Sequence, residues 1–163
     1  GDLEGYCGET ASAIIQLAAL ILEPEAAPAF AAAAGHAGCA QGISGILLSL
    51  PLHRARGQCF IPADILAAAG TDRDGFLANS DAAASRRAVA AMVALGREHL
   101  ARFELEARGM PLSLRPAFLP AAPSRARLDR VSSERIDPMT DLVSISPLRR
   151  HWTILRRAAR GWG

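Results

Sequence analysis

His53, Arg54 and Arg56 stand close together in the stretch QGISGILLSLPLHRARGQCFIPAD at 41–64. Guanidinium forks match the geometry of phosphate oxygens, so this cluster could contact a phosphate or an anionic lipid head group. A solvated basic loop is the competing reading, because exposed arginines are the norm. No Asp or Glu occurs between Gln41 and Asp64. His36, His99 and His151 have no partner at catalytic or metal spacing and read as structural histidines. Asp64 opens a short helix, where a carboxylate faces the positive end of the helix dipole, so it reads as a cap. Cys7, Cys39 and Cys59 are odd in number, far apart and without a CxxC pair. They predict reduced thiols in an intracellular protein, with neither a zinc site nor a disulfide framework. No Ser-His-Asp arrangement and no Gly-rich phosphate loop is present.

The elements that must position these residues are helices. Alanine is abundant, aromatics are 5% and β-branched runs are rare, which favours helix over strand throughout. A first helix spans 3–22, with Leu3, Tyr6, Cys7, Ala11, Ile14, Ala18, Ile21 and Leu22 as its core face and Tyr6 as a packed ring. A second spans about 30–50 and carries Gly35, Gly38, Gly42, Gly45 and Ser49 on one face. Each mid-helix glycine costs roughly 1 kcal/mol relative to alanine. Such a seam therefore needs a closely packed helix or room for a ligand, and the two are compatible. A basic, partly extended loop follows at 54–61, then a short helix from Pro62 to Ala69 closed by Gly70. The turn TDRDG leads to an N-cap cluster at Asn79, Ser80 and Asp81. The third long helix runs to Arg108, with Val89, Met92, Val93, Gly96, Leu100, Phe103 and Ala107 buried. It carries Glu98/Arg102 and Glu104/Arg108 as exposed i, i+4 pairs. Residues 124–146 look least ordered. A last helix from Pro147 sets Leu148, Trp152, Leu155 and Ala159 opposite five arginines, and is expected to dock through its Leu/Trp face.

All 18 basic residues are arginine, and the net charge is +2. From Ala121 onward nine arginines face four acids, while the first 120 residues carry nine arginines and twelve acids. The basic tail could meet a membrane surface, though a solvated face is commoner. Few aromatics and no recognised binding module argue against nucleic acid. The longest apolar runs, 11–22 and 43–52, look too short or interrupted to span a bilayer, and no signal peptide is visible.

The stretch LEGYCGETASAIIQLAALIL at 3–22 is similar to a helix of squalene and phytoene synthases that begins with a Tyr-Cys pair. AGHAGCAQGISGILLSLPLHRARGQCFIPADIL at 34–66 resembles the helix and loop bearing their second aspartate-rich motif, without a gap from Ala40 to Pro62. Arg56-Gly57 and Phe60-Ile61-Pro62 fall in place. The resemblance covers most of the chain and weakens after about Arg115. It implies the all-α isoprenoid synthase fold, with residues 1–163 forming one partial domain, its C-terminal half or more. The first aspartate-rich motif is expected upstream of Gly1.

An active member of that family condenses two prenyl diphosphates head to head, using Mg²⁺ held by carboxylates. At the two aspartate positions this sequence has Ser49 and His53. Where the family has amides it has Gly42 and Gly45, and where the family has an arginine it has Leu48. The resemblance thus implies a pocket lined by Tyr6, Gly38, Gly42, Gly45 and Leu48, with a degenerate motif at Ser49 and His53. It implies no metal, no cofactor and no catalytic residue. Ala40-Gln41-Gly42-Ile43, Pro51 with His53, Phe60 to Asp64, and Tyr6, Glu9, Thr10 and Ser12 are similar to a degenerate branch that serves mitochondrial complex I assembly and has bacterial relatives. That branch implies a non-catalytic assembly or accessory factor with a prenyl or lipid ligand, or a protein partner in respiratory complex assembly. It also implies a cytoplasmic location with peripheral contact to the inner membrane. The alternative left open is a divergent prenyltransferase whose Mg²⁺ is held by upstream sequence.

Overall fold

Residues 3–22 form one helical run, as their apolar recurrence predicts, but the run is not of one kind. In a computed structural model, which describes residues 2–162, α1 (Asp2–Cys7) passes into a π turn (Gly8–Ser12) and then α2 (Ala13–Leu22). A π turn bonds i to i+5 and so takes in one residue more than an α-turn. The inward positions accordingly run Leu3, Cys7, Ser12, Ile15 and Ala19, with a five-residue step at the π turn. Several expected inner positions beyond Cys7 are therefore corrected: Ile14, Ile21 and Leu22 face outward, while Ala18 packs against the core. Tyr6 is likewise 55% exposed rather than a packed interior ring. The stretch Leu3–Leu22 is also long and apolar enough on average to cross a membrane, contrary to the sequence estimate, although its inner face is committed to the bundle.

A 3-10 turn (Ala27–Phe30) leads into α3 (Ala31–Leu48), the central element. The first helix approaches α3 to backbone distance. A Cβ built on Gly38 would collide with the backbone and hydroxyl of Ser12, and one on Gly42 would lie 2.6 Å from the Cys7 sulfur. The Ser12 hydroxyl donates to the Gly35 carbonyl at 3.0 Å, fixing the π turn against α3. A Cβ built on Gly35 or Gly45 would meet nothing within 4 Å.

After α4 (Leu50–Ala55) come α5 (Ala63–Ala68), α6 (Arg73–Ala78) and α7 (Ala82–Glu106). The turn expected at TDRDG is a short helix, because the Asp72 carboxylate caps it by accepting from the Gly75 amide at 2.7 Å. Asp81 caps α7, accepting from Ala83 and Ala84 at 2.8 and 3.0 Å. All seven residues expected on the α7 stripe are buried. Gly96 lets α3 and α9 (Ser124–Val131) close in, with Leu128 and Ile43 methyls 3.0 and 3.1 Å from where a Cβ would sit. That short helix falls within the region expected to be least ordered, and Ala126, Leu128 and Val131 anchor it in the core. The core has two lobes, one around Ile43, Leu47, Phe76 and Met92, the other around Ile15, Phe103, Phe118 and Trp162. Glu98 pairs with Arg102 as expected, but Glu104 bridges Arg125 and Arg157 at 2.7 and 2.8 Å in place of Arg108.

The chain closes with α10 (Pro147–Arg160), preceded by α8 (Arg115–Phe118) and a 3-10 turn (Leu119–Ala121). The expected docking of α10 through its Leu/Trp face is overturned, since Leu148, Trp152 and Leu155 point to solvent.

The glycine seam makes two opposite predictions. Gly38→Ala overpacks the Ser12 contact and should cost about 1–3 kcal/mol. Gly45→Ala fills open space on a helix and should gain about 0.5–1 kcal/mol. Denaturant unfolding of both variants checks this, and equal effects of one sign would contradict it.

Candidate functional site

The end of α3 is where the sequence concentrates its polar chemistry. Ser49 breaks the helix, with φ −97° and ψ 10°, and its amide donates to the Gly45 and Ile46 carbonyls at 3.2 Å each. Pro51 lacks an N–H and fits the opening turn of α4, where none is needed. The His53 amide donates to the Ser49 carbonyl at 2.9 Å, so these two residues stand one turn apart across the break. The His53 ring meets Phe60 edge-on with centroids 4.7 Å apart, and its Nδ1 is buried without a hydrogen-bond partner among the described residues.

Arg54 is engaged by the fold. Its Nε and Nη2 donate to the Leu77 carbonyl at 3.1 and 2.8 Å, and its Nη1 donates to the Met139 carbonyl. The guanidinium bolts α4 to the end of α6 and to the segment beyond α9, at the residue where the sequence suggested a head-group contact. Arg56, the other expected contact, is exposed at the end of α4.

The expected pocket residues do not gather in one place. Gly38 and Gly42 are taken up by the first helix, Gly45 faces open space, and Leu48 packs against the core lobe of Ile43 and Leu47. Tyr6 lines a groove of about 830 Å³ formed by Leu3, Phe60, Ile61, Pro62 and Leu95, with Glu4 and Asp64 beside them. Sequence reasoning singled out Phe60, Ile61 and Pro62 as a motif but not as a wall. Their apolar character at the exit of a basic loop was the available signal.

Two histidines that the sequence keeps 63 residues apart meet here. His36 Nδ1 and His99 Nδ1 are 3.0 Å apart, and His99 Nε2 lies 3.3 Å from a Glu4 carboxylate oxygen. One tautomer arrangement satisfies all three groups: His99 Nε2–H donates to Glu4, and its Nδ1 accepts from His36 Nδ1–H. Burial, and then the charge of His99, hold the His36 imidazole below its ordinary value. Arg102 acts the same way, while Glu106 and Glu4 oppose it. Between the first helix and α3, the buried Cys7 thiol has the buried Cys39 thiol as its neighbour. That contact and burial push its pKa well above the ordinary value and keep the thiol protonated.

An all-helical bundle with a polar break at the end of its central helix is an isoprenoid-synthase type of fold. The squalene/phytoene synthase family profile matches residues 1–156, and the chain belongs to that family. It is 33% identical over 118 residues to NADH dehydrogenase (ubiquinone) complex I, assembly factor 6 of Bos taurus, covering 72% of this chain and 35% of the cattle protein. The Mus musculus protein of the same name is 29% identical over 136 residues, covering 83% of this chain and 40% of the mouse protein. The Rattus norvegicus protein is 29% identical over the same length. The chain therefore spans well under half the length of these relatives. No solved structure matches it.

The magnesium of active family members requires a cluster of hard oxygen donors. Among the described residues no three His, Cys, Asp or Glu side chains converge to hold a metal ion. The junction offers one hydroxyl at Ser49 and one imidazole at His53 packed edge-on against Phe60, a donor set better suited to zinc or copper than to magnesium. The residues present do not fit that cation.

Two measurements test this geometry. Arg54→Ala should lower stability by about 1.5–3 kcal/mol, the range for bonds to a charged donor. Arg56→Ala should stay within about 0.5 kcal/mol. Equal melting of the two would refute the clamp. Because the folded state disfavours His36⁺, the unfolded chain takes up that proton first. Stability should be full at neutral pH, fall as pH drops below about 6.5, and level off once folded His36 is protonated. Thermal melts between about pH 5 and 8 should show this slope, and His36→Asn should reduce it. An unchanged slope would contradict it.

Proposed function

We propose that this chain is a non-catalytic member of the squalene/phytoene synthase family acting as an assembly or accessory factor for a respiratory NADH dehydrogenase. The observation that carries this reading is the α3–α4 junction. Ser49 and His53 occupy the positions where carboxylates would balance the charge of two or three cations, and no acid lies between Gln41 and Asp64. Electrostatic stabilisation is usually the largest catalytic contribution, and this wall has none to offer a diphosphate–magnesium cluster. The names of the relatives supply the process. In this role the fold contributes surface and cavity, the groove beside Tyr6 and Phe60 taking an apolar prenyl or lipid chain. The chain would work in the cytoplasm, at the face of the inner membrane that carries the enzyme.

The protein incubated with farnesyl and geranylgeranyl diphosphates and Mg²⁺ should release no pyrophosphate. In host cells lacking the gene, assembled NADH dehydrogenase should fall and be restored equally by the wild-type protein and by Ser49→Ala/His53→Ala. Pyrophosphate release with a C30 or C40 product, or failure of that double variant to restore assembly, would overturn the reading. Native mass spectrometry should show an apolar adduct on the purified protein, and a consistently bare protein would remove the chain-binding role of the groove.

A further inference from the structure

The last helix is mounted the wrong way round for a soluble bundle. It touches the body through Thr153, Ile154 and Arg157, on one side of the helix. Arg157 bridges to Glu104 at 2.8 Å and lies over the Trp162 ring at 5.0 Å, and Arg115 reaches across to the Ala159 carbonyl at 3.1 Å. At 100° per residue, Leu148, Trp152, Leu155 and Ala159 fall within a narrow arc on the opposite side. They face solvent, the three large ones 81%, 65% and 62% exposed. An amphipathic helix that docks by its mixed Thr153/Ile154/Arg157 edge and turns its main apolar face outward leaves that face to meet another apolar phase.

The charge beside this face says which phase. Between α9 and α10 lies a cleft of about 440 Å³ lined by Arg125, Arg149, Arg156 and Arg157, with Trp152 at its edge. Arg125 and Arg157 share the single carboxylate of Glu104, and Asp129, the cleft's own acid, is paired with Arg97. Arg149 and Arg156 are exposed on the α10 flank next to Leu148, Leu155 and Trp152. A row of Leu and Trp with guanidiniums along its margin is the pattern of a helix lying in the interface of an anionic bilayer.

We infer that α10 is a membrane-docking helix, its Leu148/Trp152/Leu155 face seated among the acyl chains and its arginine cleft taking the phosphates of anionic phospholipids. The surface is independent of the assembly role, so either can fail without the other. It also differs from the Tyr6–Phe60 groove, which lies on other elements of the bundle.

The test is flotation of the whole protein with vesicles of phosphatidylcholine, alone or with one third phosphatidylglycerol. The protein should float with the anionic vesicles, stay behind with the neutral ones, and be released by high salt. Trp152 emission should shift to the blue on binding and be quenched by lipids brominated in the acyl chain, while the buried Trp162 provides a constant background. Arg149→Glu and Arg156→Glu should each weaken binding at least about fivefold. Leu155→Glu, at a site with no core contact, should weaken it about tenfold or more. Equal binding to both vesicle types, or Trp152 emission unmoved by bound vesicles, would overturn the inference. So would a protein that fails to float and instead forms a dimer that Leu155→Glu dissolves. Inorganic phosphate competing as well as anionic vesicles would likewise overturn the bilayer assignment.

Discussion

The contact between the backbone of Ser12 and Gly38 is the constraint on which the bundle depends. A side chain at Gly38 would lift the first helix off α3 and withdraw Cys7 from Gly42. The π turn makes the contact geometrically available, because its extra residue brings Ser12 inward and lets its hydroxyl reach the Gly35 carbonyl. On the other side of α3, Gly96 admits the Ile43 and Leu128 methyls to 3.0–3.3 Å of where its Cβ would be, a looser but still close approach. The central helix is thus packed closely from two directions, and at Gly38 only hydrogen fits. The break at Ser49 sits at the end of that gripped element.

Packing and chemistry have separate owners here. The fold is held by the glycine contacts and by the aliphatic stripe of α7, none of which touches a reacting atom. Prenyl transfer in the family needs a handful of oxygen donors at the α3–α4 junction. On the proposed reading Ser49 and His53 stand at those positions, and since both are only partly buried, charge there could be lost with the bundle intact. Several of the charged groups that remain work structurally. Arg54 holds two carbonyls, Glu104 gathers Arg125 and Arg157, and Glu4, His99 and His36 form a hydrogen-bonded chain.

What the sequence reveals follows from what periodicity can encode. The α7 stripe is regular from Val89 to Ala107, and all seven of its expected core residues are buried. The first helix has an equally clear pattern, but a π turn rephases it after Cys7, and no spacing rule announces that turn. The glycine seam on α3 was visible, yet spacing could not divide it into the packed pair Gly38 and Gly42 and the open pair Gly35 and Gly45. Arg54 looked like a free cation because its acceptors are backbone carbonyls, which carry no sequence signature. The amphipathicity of α10 was plain, but a wheel cannot say which face meets the protein. That face is set by Glu104, 53 residues from its partner Arg157, and by Trp162 just beyond the helix end.

The central claim is that the end of α3 no longer grips a diphosphate through magnesium. Calorimetric titration of the protein with a non-reactive farnesyl diphosphate analogue, with and without Mg²⁺, tests it most directly. The account predicts that adding the cation leaves the affinity unchanged and that Ser49→Ala/His53→Ala binds like the wild type. Tight binding that appears only with Mg²⁺ and is lost in that double variant would contradict it.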